Sequence, residues 1–250
     1  MLPKNLIVMS VEENPINFNS LTNVAYSVFH GPSFANDNSR LKENVFLEWY
    51  GFWSKHFESV GSSFQLFSDE FMRATYVTVL HQNHSPIAMH FYSEWDLENQ
   101  VHLKSRYWSQ YPQKAKDDLK SLGLSHVLSM EYFYIHADWR FQKTALPLSE
   151  VLAGLGMNIF LENKKLNGVV SIARKAVKSQ DRGASWGLEP ICDLELHNNP
   201  CCVVACSRDG FHENSNFNVR LLTKYFWDRR SYIGFTSRDN SVESFSEKVA

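Results

Sequence analysis

One stretch of the sequence combines basic, aromatic and small residues where a predicted strand is followed by a predicted helix. It runs from Tyr134 to Ala145 and reads Tyr-Ile-His-Ala-Asp-Trp-Arg-Phe-Gln-Lys-Thr-Ala. Free N–H groups and the positive end of the helix dipole at such a junction favour phosphate, and Arg140 and Lys143 would add charge-assisted hydrogen bonds. The stretch indicates an anion-binding turn. An ordinary strand-to-helix turn with two solvated bases has the same pattern.

The predicted strand before this turn carries two groups that can accept a proton, Glu131 and His136. Alternation along a strand predicts that Glu131 shares one face with Phe133 and Ile135, while Tyr134 and His136 lie on the other. Burial among apolar side chains raises the pKa of a carboxyl group, which suits a general base. Glu131 is therefore the preferred candidate and His136 the second. The alternatives are a salt-bridged glutamate and an ordinary strand-end histidine.

A second group of residues could suggest a metal site, and it consists of Cys192, His197, Cys201, Cys202 and Cys206. The spacing is not that of paired Cys-x-x-Cys motifs, and most of these residues fall on predicted strands. We therefore expect no metal, and interpret the cysteines as reduced, small, apolar side chains.

The elements that position these residues follow from the periodicity of apolar side chains and from the turn residues. We predict strands at residues 5–10, 125–135 and 167–172, a hairpin across 73–95, and a second hairpin that pairs 189–196 with 201–207. We predict helices at residues 19–29, 41–57, 114–122, 144–154, 173–182 and 216–228, with Thr144 as the cap of the fourth and Gly123 and Gly183 ending the third and fifth. This order of elements indicates the α+β fold class.

Composition excludes some classes of partner. The 25 Lys and Arg residues nearly balance the 27 Asp and Glu residues, so no overall field attracts nucleic acid. The sequence has no apolar run near the roughly 20 residues that span a bilayer and no signal-peptide pattern at its start. We expect a cytoplasmic protein with one domain over residues 1–236, an insertion or lid at 96–124, and a flexible tail at 237–250.

The turn at residues 134–145 resembles the coenzyme-A-binding motif of GNAT acyltransferases, in which a strand leads into a loop that holds the pyrophosphate. Ile135, Trp139, Arg140 and Ala145 match the motif by residue type. Ala137 replaces the usual proline and Lys143 replaces the first motif glycine, so a side chain stands where the backbone approaches the pyrophosphate. The resemblance covers residues 70–207, and the family's frequent tyrosine general acid falls on Gly183.

The resemblance implies a GNAT-like α+β fold, in which helices flank both faces of a mixed, mostly antiparallel sheet. It also implies transfer of an acyl group from a thioester to a small-molecule amine or amino acid. It implies that the residues holding an acyl-CoA or a phosphopantetheine on an acyl carrier protein are Ile135, Ala137, Arg140, Lys143, Thr144 and Ala145. The alternative is a GNAT-fold module that binds ligands or partners without catalysis.

Residues 96–124 also resemble the inserts of N-acyl amino acid synthases and acyl-homoserine lactone synthases, which help to shape an acyl pocket. We therefore expect Tyr107, Trp108 and Tyr111 of this insert, together with Tyr134, to line a substrate pocket. Most aromatic side chains only fill the core, and that is the alternative for these residues.

Overall fold

A computed structural model describes residues 21, 23–31 and 40–234, without the side chains of Gln142 and Lys143. The strand predicted at residues 5–10 and the tail predicted at 237–250 lie outside the described residues. In the described ranges, no helix is long and apolar enough to cross a lipid bilayer.

Within this description the chain forms an open sheet of eight strands. They are β1 (Ala25–His30), β2 (Tyr76–Gln82), β3 (Ser85–Asp96), β4 (His126–Ile135), β5 (Gly168–Arg174), β6 (Glu189–Leu196), β7 (Asn199–Ser207) and β8 (Ser231–Ile233). Their spatial order is β6-β7-β5-β4-β3-β2-β1-β8. The pairs β4–β5 and β1–β8 are parallel, and the others are antiparallel. This agrees with the predicted mostly antiparallel sheet.

Helices cover both faces of the sheet. They are α1 (Arg40–Ser59), α2 (Ser68–Met72), α3 (Gln100–Leu103), α4 (Arg106–Ser109), α5 (Gln113–Ser121), α6 (Phe141–Thr144), α7 (Leu148–Glu162), α8 (Ser179–Ala184) and α9 (Phe217–Asp228). The apolar sides of α7 and α9 pack on one face. The opposite face packs against α1 towards β2 and β3, and against α4 and α5 towards β5 and β7.

Both predicted hairpins are present, and their turns contain residues with positive φ. Asn83 and His84 have φ of 50° and 64°, and His197 and Asn198 have φ of 52° and 60°. Left-handed residues at both central positions match the right-handed twist of the flanking strands. The predicted helices at 41–57, 114–122 and 216–228 correspond to α1, α5 and α9, and Gly123 follows α5 with φ of 71°.

The helix predicted at residues 19–29 is wrong, because Ala25–His30 forms the strand β1. β1 pairs along its length with β2, from Ala25 opposite His81 to His30 opposite Tyr76. Its aromatic and β-branched residues, Tyr26, Val28 and Phe29, are buried. A short apolar run does not distinguish a strand from a helix by its period alone, and here sheet pairing decides.

The helix predicted at residues 144–154 begins later, at Leu148. Thr144 instead ends the short helix α6, and Ala145 follows it with a left-handed φ of 55°. Pro147 disfavours helical backbone in the residue before it, so α7 starts after the proline. The prediction that Thr144 caps this helix is therefore wrong.

The helix predicted at residues 173–182 is also divided. β5 continues to Arg174, a 3-10 turn covers Lys175–Val177, and Lys178 with φ of 51° precedes α8. Gly183 lies inside α8 and does not end it. The glycine with positive φ in this segment is Gly187, after the end of α8, with φ of 95°.

Candidate functional site

The site is formed where two neighbouring strands separate. β4 and β5 pair in parallel from Val127 opposite Gly168 to Met130 opposite Ser171, and their described pairing stops there. Beyond this point both strands continue, to Ile135 and Arg174. Their backbones therefore leave a gap in the centre of the sheet.

A β-bulge in β4 accompanies the separation. Glu131 lies opposite Phe91 and Tyr134 lies opposite Met89, so three steps along β4 match two steps along β3. Tyr132, inside this interval, has a φ of 51°. One extra residue in a strand reverses the alternation of side chains that follow it.

For this reason the predicted face of Glu131 is wrong, whereas Tyr134 lies on the opposite face from Phe133 and Ile135, as predicted. Tyr132 and Tyr134 pack with the α1 cluster, whereas Phe133 and Ile135 pack on the α7 side. Glu131 and Glu70 both accept hydrogen bonds from Arg73, and Glu70 also accepts one from the hydroxyl of Tyr132. Glu131 therefore lies on the same side of the sheet as Tyr132. Glu131 is therefore separated from Phe133 and Ile135, with which plain alternation grouped it.

A cleft of about 800 Å³ passes through the gap and reaches both faces of the sheet. Trp53 and His56 of α1 line it on one face, and Ser149 of α7 lines it on the other. Arg140 from the loop after β4 and Arg174 at the end of β5 also line it. The volume lies within the usual range for small-molecule and cofactor sites.

A guanidinium held between two carboxylates lies on the α1 side of the cleft. Arg73 donates to Glu131 Oε1 at 3.0 Å and Oε2 at 2.5 Å, and to Glu70 Oε2 at 2.7 Å. Ser129 also donates to Glu131 Oε1, at 2.5 Å. Burial disfavours the charge of Arg73, but attraction to Glu131 and Glu70 outweighs it and raises the pKa of Arg73. With two carboxylates for one cation, the cluster carries a net negative charge.

A second polar group, with the opposite charge, lies nearer the end of β5. Arg174 places Nη1 2.7 Å from His56 Nε2, and its guanidinium carbon is 5.4 Å from the ring centroid of Trp53. Burial, followed by the charge of Arg174 and then His197, lowers the pKa of His56. Burial also lowers the pKa of Arg174. His56 is therefore held as a neutral imidazole.

A third histidine, His90, is buried and lines the cleft from the part of β3 that lies opposite the bulge in β4. Its Nδ1 lies 3.0 Å from the hydroxyl of Tyr92, and its ring meets Phe133 edge to face. Burial lowers the pKa of His90 to about 3. His90 is therefore a neutral, structural part of the wall at neutral pH.

The residues predicted to hold the acyl donor divide into two groups. Ile135 and Arg140 line the cleft, and Arg140 Nε donates to the Ile135 carbonyl at 3.4 Å. Ala137 and Ala145 are exposed, and Thr144 bonds through Oγ1 to main-chain groups of its own loop. None of these three lines the cleft. The Lys143 side chain lies outside the description.

His136, the second predicted base, lies beside the cleft but does not line it. Its Nδ1 accepts from the Asp138 main chain at 3.2 Å, which caps a 3-10 turn. Its side chain is 40% exposed.

The predicted pocket aromatics are also divided by the structure. Tyr107 lines the cleft, stacks on Trp95 with ring centroids 5.2 Å apart, and shares a 2.7 Å hydrogen bond with Tyr111. Trp108 is fully buried in the cluster under α4 and α5, away from the cleft. Tyr134 is buried against α1, where its hydroxyl donates to Glu48. Tyr111 is buried and does not line the cleft, so Tyr107 is the one of the four predicted aromatics that does.

Several charged or titratable cleft residues were not predicted from the sequence, among them His56, Glu70, Arg73 and Arg174. Arg73 and Glu131 are 58 positions apart, and His56 and Arg174 are 118 apart. No local spacing connects such pairs, so short motifs could not reveal them. Among the described residues, no group of three or more His, Cys, Asp or Glu side chains is arranged to hold a metal ion.

The architecture of this chain is similar to that of known acyltransferase structures, although its sequence matches none. No protein-family model matches the sequence, and neither does any curated protein. The solved structure of BjaI, a CoA-dependent acyl-homoserine lactone synthase, with MTA, has a TM-score of 0.51 over 87% of this chain and 99% of its own, at 10% identity. This chain has a GNAT-like fold.

Two further solved structures match less closely. FeeM, an N-acyl amino acid synthase from uncultured soil microbes, has a TM-score of 0.49, 7% identity, and coverage of 74% of this chain and 91% of its own. An N-acetyltransferase from Staphylococcus aureus Mu50 has a TM-score of 0.42, 8% identity, and coverage of 74% and 97%. At such low identity, the activity of this chain is a separate question.

Proposed function

We propose that this protein is an N-acyltransferase that moves an acyl group from an acyl thioester to the amine of a small molecule or amino acid. The observation that carries the proposal is the cleft of about 800 Å³ between β4 and β5, which has a basic loop on its wall and a negatively charged cluster on its α1 side. These features suit an anionic donor and a cationic acceptor respectively.

The donor would extend along β4 in this cleft. Past Met130, the edge of β4 that faces β5 has no described pairing partner, so its main-chain groups are free to bond a pantetheine-like arm. N–H groups at this edge would also polarise the thioester carbonyl. Arg140 lines the cleft, where it would contact a phosphate of the donor, and the CoA dependence of BjaI supports acyl-CoA in this role.

The acceptor would approach from the α1 side. The excess carboxylate of the Glu70, Arg73 and Glu131 cluster attracts an ammonium group. After losing a proton, the amine nitrogen attacks the thioester carbonyl carbon, the carbon–sulfur bond breaks, and the thiol leaves with a proton as the amide forms. Glu131 remains our candidate for contacting the amine, and its ion pair with Arg73 differs from the unpaired, apolar setting that we predicted.

Calorimetry of coenzyme A, acyl-CoA and acyl carrier protein binding tests the donor site. Arg140→Ala should weaken binding of the donor by about 1 to 3 kcal/mol, as expected for a charge-assisted phosphate contact. Arg229→Ala, an exposed arginine after α9, is the matched control and should bind as the wild type does. Failure of the wild type to bind any of the three donors would contradict the proposal.

A second substitution distinguishes the donors. If the Lys143 side chain obstructs a pyrophosphate, Lys143→Gly should tighten coenzyme A binding; if it contacts a phosphate, binding should weaken. An unchanged affinity would place Lys143 outside the donor site. Binding of an acyl thioester without any transfer to amines would instead favour the non-catalytic binding module.

A further inference from the structure

The charge of Arg174 has no carboxylate partner in the described part of the chain. Its described side-chain contacts are the imidazole of His56, with Nη1 2.7 Å from Nε2, and the face of Trp53. Arg73, in contrast, is bonded to two carboxylates. Arg174 lines the cleft, as Arg140, Lys178 and Arg182 do, and it differs from these three in donating to an imidazole.

His56 accepts the hydrogen bond from Arg174, since a guanidinium has no lone pair to offer. The accepting nitrogen cannot then take a proton. The other groups that face this pair are His197 in the β6–β7 turn and the Cys201 thiol on β7. Neither is an anion at neutral pH, because burial lowers the pKa of His197 and raises the pKa of Cys201.

An anion in the cleft would change this arrangement. A carboxylate forms charge-assisted, bidentate hydrogen bonds with a guanidinium that are about twice as strong as neutral ones. Arg174 would exchange its bond to His56 for that stronger bond. The nitrogen of His56 would then be free, and the positive charge beside it would be neutralised.

The other proton acceptors of the cleft wall are already engaged. Both oxygens of Glu131 accept from Arg73, and Glu70 accepts from Arg73 and Tyr132. His90 is buried and bonded to Tyr92. His197 also lines the cleft, and its Nδ1 lies 3.5 Å from the hydroxyl of Ser62. His56 is the imidazole whose hydrogen bond with a guanidinium an anion in the cleft would break.

We propose that Arg174 binds an anionic group of the acceptor, such as a carboxylate on the same molecule as its amine, and that this binding frees His56 to take up a proton. The inference rests on the proposed acyl transfer, in which the proton comes from the acceptor's ammonium nitrogen and moves to Nε2 of His56, leaving a neutral amine. Arg174 acts as the positioning residue and sensor, so acceptors that lack an anionic group meet a blocked imidazole.

Histidine NMR titration tests this without any acyl donor, so its failure is distinguishable from failure of the proposed function. The His56 signal is assigned with His56→Gln, and its pKa is measured in sodium chloride, sodium acetate and sodium phosphate at equal ionic strength. In the wild type, acetate should raise the pKa of His56 by about one pH unit relative to chloride. Arg174→Gln should raise it already in chloride and remove the response to acetate.

Lys175→Gln is the control of equal charge change, because Lys175 pairs with Asp193 at 2.6 Å and does not line the cleft. It should titrate like the wild type. Arg174→Lys, which keeps the charge but not the bidentate geometry, should respond more weakly to acetate than the wild type.

Three results would overturn the proposal. If acetate leaves the pKa of His56 unchanged in the wild type, Arg174 does not bind a carboxylate there. If phosphate raises it and acetate does not, Arg174 serves a phosphate of the donor and not the acceptor. An equal response to acetate in the wild type and Arg174→Gln would likewise remove Arg174 from the mechanism.

Discussion

The guanidinium of Arg73 donates to both carboxylate oxygens of Glu131, at 3.0 and 2.5 Å, across 58 positions of sequence. It is the same guanidinium that bonds to Glu70. This pairing joins the segment after α2 to the bulged strand β4. The side chain that sequence analysis selected as a base is therefore part of a buried ionic cluster.

Glu131→Gln should destabilise the protein by about 3 kcal/mol, because removing one partner of a buried ion pair leaves the other charge poorly compensated. Glu70 remains bonded to Arg73, which keeps the effect at the lower end of the usual range. Urea unfolding measures it. Lys224→Gln, which breaks an exposed Lys224–Asp228 pair, should leave the free energy of unfolding almost unchanged. Equal effects of the two changes on the free energy of unfolding would show that the buried Arg73–Glu131 pair contributes no more than an exposed ion pair.

The same Glu131→Gln change should lower turnover by roughly a hundredfold or more on an established acceptor, because it removes the negative charge that attracts the acceptor's ammonium group, with donor affinity nearly unchanged. His136→Gln should keep most of the activity, because His136 does not line the cleft and its Nδ1 accepts from Asp138. Steady-state kinetics under conditions where both variants are folded provide the measurement. Loss of turnover in His136→Gln alone would reverse these two roles.

Two glycines should respond in opposite ways to alanine. A Cβ at Gly154 in α7 would lie 2.3 Å from Cζ2 of Trp186, whereas at Gly51 in α1 nothing lies within 4 Å. Gly154→Ala should destabilise by about 1 to 3 kcal/mol through overpacking. Gly51→Ala should stabilise by roughly 0.5 to 1 kcal/mol, because alanine favours helix more than glycine does. Thermal and urea unfolding measure the stability of both variants. A change in the free energy of unfolding of the same sign in both would contradict this prediction.

His90 should make stability depend on pH. Its pKa in the folded protein is about 3, below the 6.5 of an ordinary histidine, so the unfolded chain binds one more proton between these values. Stability is fully present above pH 6.5 and should decline on acidification by up to about 1.4 kcal/mol per pH unit in this window. His90→Gln should make the decline shallower between pH 6.5 and 5. Identical slopes in the two proteins would contradict the assignment.

Several elements could be read from local sequence because their causes are local. The hairpin at residues 73–95 and the pair 189–196 with 201–207 have β-prone runs around polar turns, and the structure confirms both. Apolar spacing located α1, and Gly123 marked the end of α5. In these cases, periodicity and turn residues agree with the tertiary environment.

Other elements were decided by contacts that the local pattern does not contain. The run at residues 25–30 became a strand through pairing with β2 and β8. The residue type of Tyr132 does not predict a bulge, because positive φ is unusual for a bulky side chain. Its φ of 51° is imposed by the surrounding structure. That single residue decides which face Phe133 and Ile135 occupy.

By itself, the sequence determined the α+β class, the GNAT-like order of strands and helices, and the basic turn that carries Arg140. Only the tertiary structure decided which side chains meet in the cleft. It placed Arg73 on Glu131 and Arg174 on His56, and it put Trp108 in the core. The physical reason is that periodicity and turns act over a few residues, whereas strand order and the bulge bring together groups more than fifty residues apart.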